Sequence, residues 1–258
     1  MEFIKPSPNT NRSLMRGMEI LRCFKPGMSL LGNSEIADRT GLPPSTISRL
    51  TQSLVISGFL EHDPERLAYR LTPTVLCLGH AFKTASAETK IAEPLMRQFS
   101  EKLKLNVGLA VADRLEMVYL ESIRYTKNIA LRTVASGQRV PIERTSLGRA
   151  WIANLNSEER KQIFLTLKKQ KINNWGKIEI EIHEAIESML KNGYCVANWL
   201  PNISAVSTSV QLLNGKYASL NLSTPAESRL NEVLENYTPA LFELKNKIEI
   251  ELNKLKPL

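Results

Sequence analysis

The 258-residue sequence predicts an α+β fold in two parts: an N-terminal three-helix winged helix-turn-helix, and a larger C-terminal domain with an antiparallel sheet flanked by helices. Two observations carry this. Apolar residues recur at helical spacing in three short segments before residue 58, then alternate over 59–71. Beyond residue 88 the pattern switches back and forth between the two periods, as in a domain with its own mixed core. The predicted boundaries are 1–72 for the winged helix, 73–87 for a linker helix and 88–258 for the larger domain.

Residues 13–24, SLMRGMEILRCF, place Leu14, Met18 and Leu21 at helical spacing, with Ser13 as a candidate N-cap. Pro26 and Gly27 stop that helix. A second helix is predicted over 33–40, capped by Asn33 or Ser34 and closed by Gly41 in a left-handed conformation. The third, 43–57, opens on Pro43 and Pro44 and ends at Gly58, with Ile47, Leu50 and Leu54 on one face. Residues 59–71 read as two strands around Asp63-Pro64-Glu65-Arg66, with Tyr69 and Leu71 pointing inward. The segment 74–86 after Pro73 is predicted as a connecting helix with an apolar stripe of Val75, Leu78 and Phe82.

In the larger domain, helices are predicted over 90–104, 145–154, 157–169 and 178–192, and a helical tail runs from 226 with a break at Pro239. Strands are predicted near 106–112, 115–122, 128–134, 194–199, 203–211 and 216–222.

Composition excludes several classes. The first residues carry Glu2, Lys5, Pro6 and Pro8 where a secretory peptide needs an apolar run, and no stretch approaches the ~18 apolar residues of a membrane span, so a cytoplasmic protein with no membrane partner is expected. Cys23, Cys77 and Cys195 are odd in number and set in apolar patterns, which fits reduced core thiols. The net charge of +8 suits a polyanionic partner, but residues 1–86 hold ten Lys/Arg against seven Asp/Glu and the remainder 24 against 19. Charge alone therefore does not locate a nucleic-acid face. No HExxH, CxxC, GxSxG or P-loop pattern is present, and His80 and His183 stand without partners in recognisable spacing. No catalytic residue, metal or cofactor is predicted.

The third helix carries the informative chemistry. Ser45, Ser48, Arg49 and Gln52 fall at i, i+3, i+4 and i+7, opposite Ile47, Leu50 and Leu54. Arg pairs bidentately with guanine and Gln with adenine, while Ser45 and Thr46 at the helix start meet phosphates or bases. By itself this stripe also fits a solvated amphipathic helix. The preceding helix, the turn at Gly41 and a following hairpin with Arg66 and Arg70 tip the reading to a winged helix-turn-helix on double-stranded operator DNA.

Three segments extend the reading. SLMRGMEIL at 13–21, TGLPPSTISRLTQSLVISGFL at 40–60 and YRLTPTVLCLGHAF at 69–82 resemble the DNA-binding domain and linker of the IclR family of bacterial regulators, and VPIERTSLGRAWIA at 140–153 resembles the opening of its effector domain. The wording of RLTPTVLCLGHAF and TSLGR is similar to the branch that controls aromatic-acid degradation of the protocatechuate or hydroxybenzoate type. The resemblance implies a linker helix used in dimerisation, and an effector domain whose sheet and helices enclose a small-molecule pocket with Thr145, Ser146, Leu147 and Gly148 at its mouth. A homodimer or dimer of dimers and a small organic acid effector are the expected partners.

The later family pattern departs. Gly193-Tyr194 is present, but Asn198-Trp199 stands where an acid is expected, Asn202 replaces a glycine, and Ala205 and Ser209 replace a small polar residue and a proline. Leu220-Asn221-Leu222-Ser223 keeps one of two serines. From the residues themselves, Arg144, Ser146, Asn221, Ser223 and Trp199 supply a cation, hydroxyls, an amide and an aromatic wall for a compact carboxylate, and Ala205 lies in the same predicted region. Trp151, Trp175 and Trp199 also fit as ordinary core or surface aromatics. A DNA-binding protein whose C-terminal domain only oligomerises is the alternative.

Overall fold

The structure, a computed structural model, describes residues 10–125, 136–200, 203–225 and 230–255, without the side chains of 225 and 230–236. The strand predicted over 128–134 and Asn202 lie outside the described residues. Two compact units emerge, one ending at Ala85 and the other beginning at Ser86.

In the first unit, α1 (Arg12–Arg22) is capped by Asn11, whose side chain accepts the Leu14 N–H at 3.0 Å, in place of Ser13. Its buried residues are Gly17 and Ile20, whereas Leu14, Met15 and Met18 face outward. A short β1 (Leu31–Gly32) precedes α2 (Asn33–Thr40), and the Glu35 carboxylate accepts the Gly32 N–H at 3.0 Å. Gly41, at φ +68°, ends α2 with its N–H on the Ala37 carbonyl at 2.7 Å, the left-handed close that glycine permits. Pro43 and Pro44 then open α3 (Pro44–Ile56).

The wing is β2 (Leu60–Asp63) and β3 (Ala68–Leu71), which pair antiparallel, and β1 adds a third strand in the order β1-β3-β2. Two-residue β1 is too short for an alternating pattern to reveal. Ile20, Leu31, Ile36, Ile47, Leu50 and Leu60 form the core, with Tyr69 packed against it. Leu71 faces solvent at the strand end, before α4 (Thr74–Ala85). No α4 residue is buried within the chain, and Cys77 on it is exposed, unlike Cys23 and Cys195.

The second unit runs α5 (Ala87–Leu103), β4 (Asn106–Asp113), β5 (Glu116–Ile123), β6 (Arg139–Pro141), α6 (Ser146–Ala153), α7 (Ser157–Lys169), α8 (Trp175–Asn192), β7 (Cys195–Leu200), β8 (Ile203–Gln211), β9 (Tyr217–Pro225) and α9 (Leu230–Asn253). The six strands pair antiparallel in the order β6-β5-β4-β9-β8-β7. Pro239 lies inside α9 and does not end it: Leu241, Leu244, Ile248 and Leu252 beyond it are buried, and that packing outweighs one lost backbone hydrogen bond.

Period-2 alternation sorts the sheet into two chemically different faces. Val107, Leu109, Val206, Val210, Leu220 and Leu222 meet α5 and α9 through Met96, Phe99, Leu241, Leu244 and Ile248. The other face is covered by α6, on which α8 packs. Gly148 lets the first turn of α6 pack against the turn after β6, because a Cβ there would lie 2.0 Å from the Ile142 carbonyl oxygen.

Candidate functional site

On α3, Ser45, Ser48, Arg49 and Gln52 are exposed, Thr46 is half-buried, and Ile47 and Leu50 are buried. Thr51, also buried, satisfies its hydroxyl on the Ile47 carbonyl at 2.9 Å. Ser48 Oγ donates to the Pro44 carbonyl at 3.1 Å and accepts from Asn33 Nδ2 at 3.4 Å, so the helix-turn-helix itself engages this hydroxyl. Among the described residues the Arg49 side chain makes no hydrogen bond or ion pair. Its fork of donors points from an exposed helix face.

The wing arginines are held by acids. Asp63 accepts the Arg66 backbone N–H at 3.1 Å, and its carboxylate lies 3.7 Å from the Arg66 guanidinium and 3.9 Å from that of Arg70. Glu61 sits 3.5 Å from Arg70. Exposed pairs of this kind contribute about 0–1 kcal/mol. They orient the two guanidiniums at the wing without binding them tightly.

In the second unit, register places polar and small residues side by side on the sheet face toward α6. One row runs Asn106, Ser223, Ala205, Ala197 across β4, β9, β8 and β7. The next runs Gly108, Asn221, Ser207, Cys195, and a third joins Tyr119, Ala110, Ser219 and Ser209. These residues are buried or nearly so. A buried sheet face carrying this many hydroxyls and amides is unusual for a core and suited to a polar guest.

Three contacts seat α6 on these rows. Ser207 Oγ donates to Ser146 Oγ at 2.7 Å, the Cys195 thiol donates to the Ser146 carbonyl at 3.4 Å, and Asn154 bonds Ser209. Burial pushes the Cys195 thiol up to about 12, with Arg149 pulling the other way. Burial likewise pushes the Tyr119 phenol up to about 12, against the pull of Arg124 and a hydrogen bond with Asn221. Gly108 has no Cβ because the space is filled: one there would sit 2.5 Å from both the Tyr119 ring and the Asn221 amide oxygen.

Of the residues singled out in the sequence, Ser146, Ala205, Asn221 and Ser223 share this face, and Trp199 extends it along β7, packed at the apolar cluster under α6. Thr145 is the α6 N-cap, accepting the Gly148 N–H at 3.2 Å and donating to the Pro141 carbonyl at 2.8 Å. Leu147 is core. Arg144 turns away: its guanidinium lies 3.4 Å from Glu143 and 3.5 Å from the Asn173 carbonyl, toward the turn before α8. The buried cation of this motif is Arg149, bonded to Glu181 at 2.5 Å and to the Glu143 carbonyl at 3.1 Å. Sequence reasoning missed Asn106, Tyr119 and Ser207, and no regular alternation marks them: Asn106 shares its side of β4 with Gly108 and Ala110, and Tyr119 its side of β5 with Met117.

Among the described residues no three His, Cys, Asp or Glu side chains cluster for a metal, and no helix is long and apolar enough to cross a membrane. The family model for the IclR helix-turn-helix domain matches residues 13–64, and that for the bacterial transcriptional regulator IclR C-terminal matches 86–249. The chain belongs to the IclR family of transcriptional regulators. The helix-turn-helix match spans α1 to β2, and the C-terminal match spans α5 to most of α9.

An IclR-family relative, the HTH-type transcriptional regulator TsaQ1/TsaQ2 of Comamonas testosteroni, is 31% identical over 251 residues, 95% of this chain and 90% of that protein. The crystal structure of an IclR family transcriptional regulator from Brucella abortus superposes with a TM-score of 0.87 at 31% identity, covering 95% of this chain and 93% of that one. An IclR homolog from Microbacterium hydrocarbonoxydans, solved in complex with 4-hydroxybenzoate, shares the fold at 19% identity, with a TM-score of 0.69 over 94% of this chain and 99% of that one. The relatives are named as regulators of transcription and not as enzymes, and this chain is a DNA-binding regulator of the same type.

Proposed function

We infer that this regulator binds a two-fold operator as a cytoplasmic homodimer or dimer of dimers, and that a small organic acid in its C-terminal domain sets its operator affinity. The single observation that carries the effector half is the buried polar sheet face under α6, where Ser146, Asn221, Ser223 and Ala205 meet. The 4-hydroxybenzoate bound by the Microbacterium homolog supports an aromatic acid as the first compound to try. In this reading 1–72 binds DNA, 73–87 links, and 88–258 senses the effector and oligomerises.

Ser45, Thr46, Ser48, Arg49 and Gln52 read the major groove, with Arg66 and Arg70 of the wing beside them. The outward apolar residues Leu14 and Met18 of α1 and Leu76, Leu78 and Phe82 of α4 support an interface between copies, being 48–74% exposed in the single chain. Operator binding of the full chain with and without 4-hydroxybenzoate tests the reading. Linkage requires a reciprocal coupling, about 1–3 kcal/mol, so operator must shift acid affinity by the same factor.

One observation favours a ligand-independent regulator. Ser146, Leu147 and Gly148, expected at a pocket mouth, are engaged in packing by Ser207, the core and Ile142. Operator affinity indifferent to every acid tried, with intact dimers, would select that alternative.

A further inference from the structure

Four lysines of the second unit stand free. Lys161, Lys168 and Lys169 of α7 and Lys171 just beyond it are exposed, and among the described residues their side chains make no ion pair or hydrogen bond. From Arg160 to Ile178 the chain carries six basic residues and no acid. The acids at the start of α7 are engaged, Glu159 by the Asn156 N–H and Glu158 by Gln162. They lie about 13–15 Å from Lys168 along the helix axis, beyond the ~8 Å over which exposed charges act at physiological salt. On α8, Glu181 is bonded to Arg149 and lies 3.9 Å from Lys177.

Local structure accounts for only part of this cluster. Lys168 and Lys169 suit the last turn of α7, where a cation favours the helix. Lys171, however, stands at φ +50°, a conformation that suits glycine or asparagine. Lys177 stands in the first turn of α8, where acids favour a helix and none is present. We propose that this α7–α8 turn is a second DNA surface, on which Lys168, Lys169 and Lys171 meet phosphates of the duplex flanking the operator. Lysine, glutamine and asparagine are phosphate-contacting side chains, and Gln170, Asn173 and Asn174 are exposed beside the lysines. A protein partner fits less well, because protein interfaces are depleted in lysine and centred on aromatics and arginine. The first unit is modest in charge: residues 1–86 hold ten Lys/Arg against seven Asp/Glu, and acids hold both wing arginines. Once the winged helix is on its site, the same duplex stays at high effective concentration for the rest of the chain. Weak phosphate contacts there add affinity without reading sequence.

The full-length protein tests this on an operator selected from a randomised library, once as the shortest duplex that retains selectivity and once extended by two helical turns on each side. Lys168→Gln, Lys169→Gln and Lys171→Gln together remove three charges from exposed side chains, and thermal unfolding verifies that the variant folds. On the extended duplex its slope of log affinity against log salt should fall in magnitude by about 2–3 for each chain that reaches the flank, with no fall on the short one. Lys168→Arg, Lys169→Arg and Lys171→Arg together should keep the wild-type slope on both, since a phosphate accepts either cation. Equal losses on the two duplexes would reflect net charge alone, and unchanged slopes on both would leave the lysines to an acidic protein surface. Either result overturns the flanking contact, while sequence selection by α3 stands.

Discussion

Ser207 Oγ donates to Ser146 Oγ across 2.7 Å, joining the first residue of α6 to the middle of β8 between positions 61 apart in the chain. Both hydroxyls are buried. Removing either leaves its partner without this bond, at about 1–3 kcal/mol. Ser146→Ala and Ser207→Ala are each expected to lower stability by that amount in urea unfolding. The double variant should cost less than the two together, because it leaves no orphan. Additive losses would show that the two hydroxyls are satisfied independently.

The three thiols should separate by reactivity. Cys77 is exposed on α4, while Cys23 and Cys195 are buried, and burial raises both of their pKa values. A disulfide-exchange reagent at pH 8 should titrate one thiol rapidly in the native protein and three in denaturant. The same shift has a pH consequence. Folded Cys195 and Tyr119 hold their protons up to about 12, whereas the unfolded groups ionise from about 9 and 10. Above those values the unfolded state binds fewer protons, so stability is full below pH 9 and falls as pH rises toward 12. Thermal unfolding from pH 8 to 11 checks this; a flat profile would mean that neither group is as buried as the fold requires.

The parts of this chain that read well from sequence are those in which local chemistry decides the structure. The prolines at 43 and 44, the left-handed Gly41 and the wing turn at Asp63 each fix backbone locally, so α2, α3 and the hairpin follow. Apolar stripes are less informative, because spacing shows that residues share a face but not what covers it. Leu14 and Met18 of α1 carry the helical period yet face out, while Ile20 and Gly17 face in. The polar sheet face is a tertiary property. Asn106, Ser223 and Ala205 become neighbours only through the register of β4, β9 and β8, which no local signal specifies. Arg144 and Arg149 show the same limit: Arg144 lies in the turn before α6 and Arg149 within it, and only the packing of α8 decides which cation is buried against Glu181.

The exposed apolar side of α4 gives a third expectation. Leu78 and Phe82 lie one turn apart and are 58% and 56% exposed within the chain, with Leu76 beside them. Apolar side chains exposed side by side on a free monomer favour association. If the protein is the proposed dimer, Leu78→Glu and Phe82→Glu together are expected to shift it toward monomer in sedimentation while circular dichroism and thermal unfolding stay close to wild type, because neither residue is part of the core. An unchanged sedimentation profile would place the interface elsewhere.

Arg49 provides the sharpest test of the DNA face. It stands on the exposed stripe of α3 one turn from Ser45, and no acid holds it among the described residues, in contrast to Arg66 and Arg70. If its fork reads guanine O6 and N7, Arg49→Ala should cost about 1–3 kcal/mol and relax preference at one base, with nonspecific binding nearly unchanged. Arg49→Lys should then rescue only in part, because an ammonium lacks the planar pair of donors. If the contact is to a phosphate, Arg49→Lys should be nearly silent, and Arg49→Ala should reduce the slope of log affinity against log salt by about 0.9. Binding to a randomised operator library at two salt concentrations separates these outcomes. An Arg49→Ala protein with unchanged affinity, preference and slope would assign DNA to another face of α3.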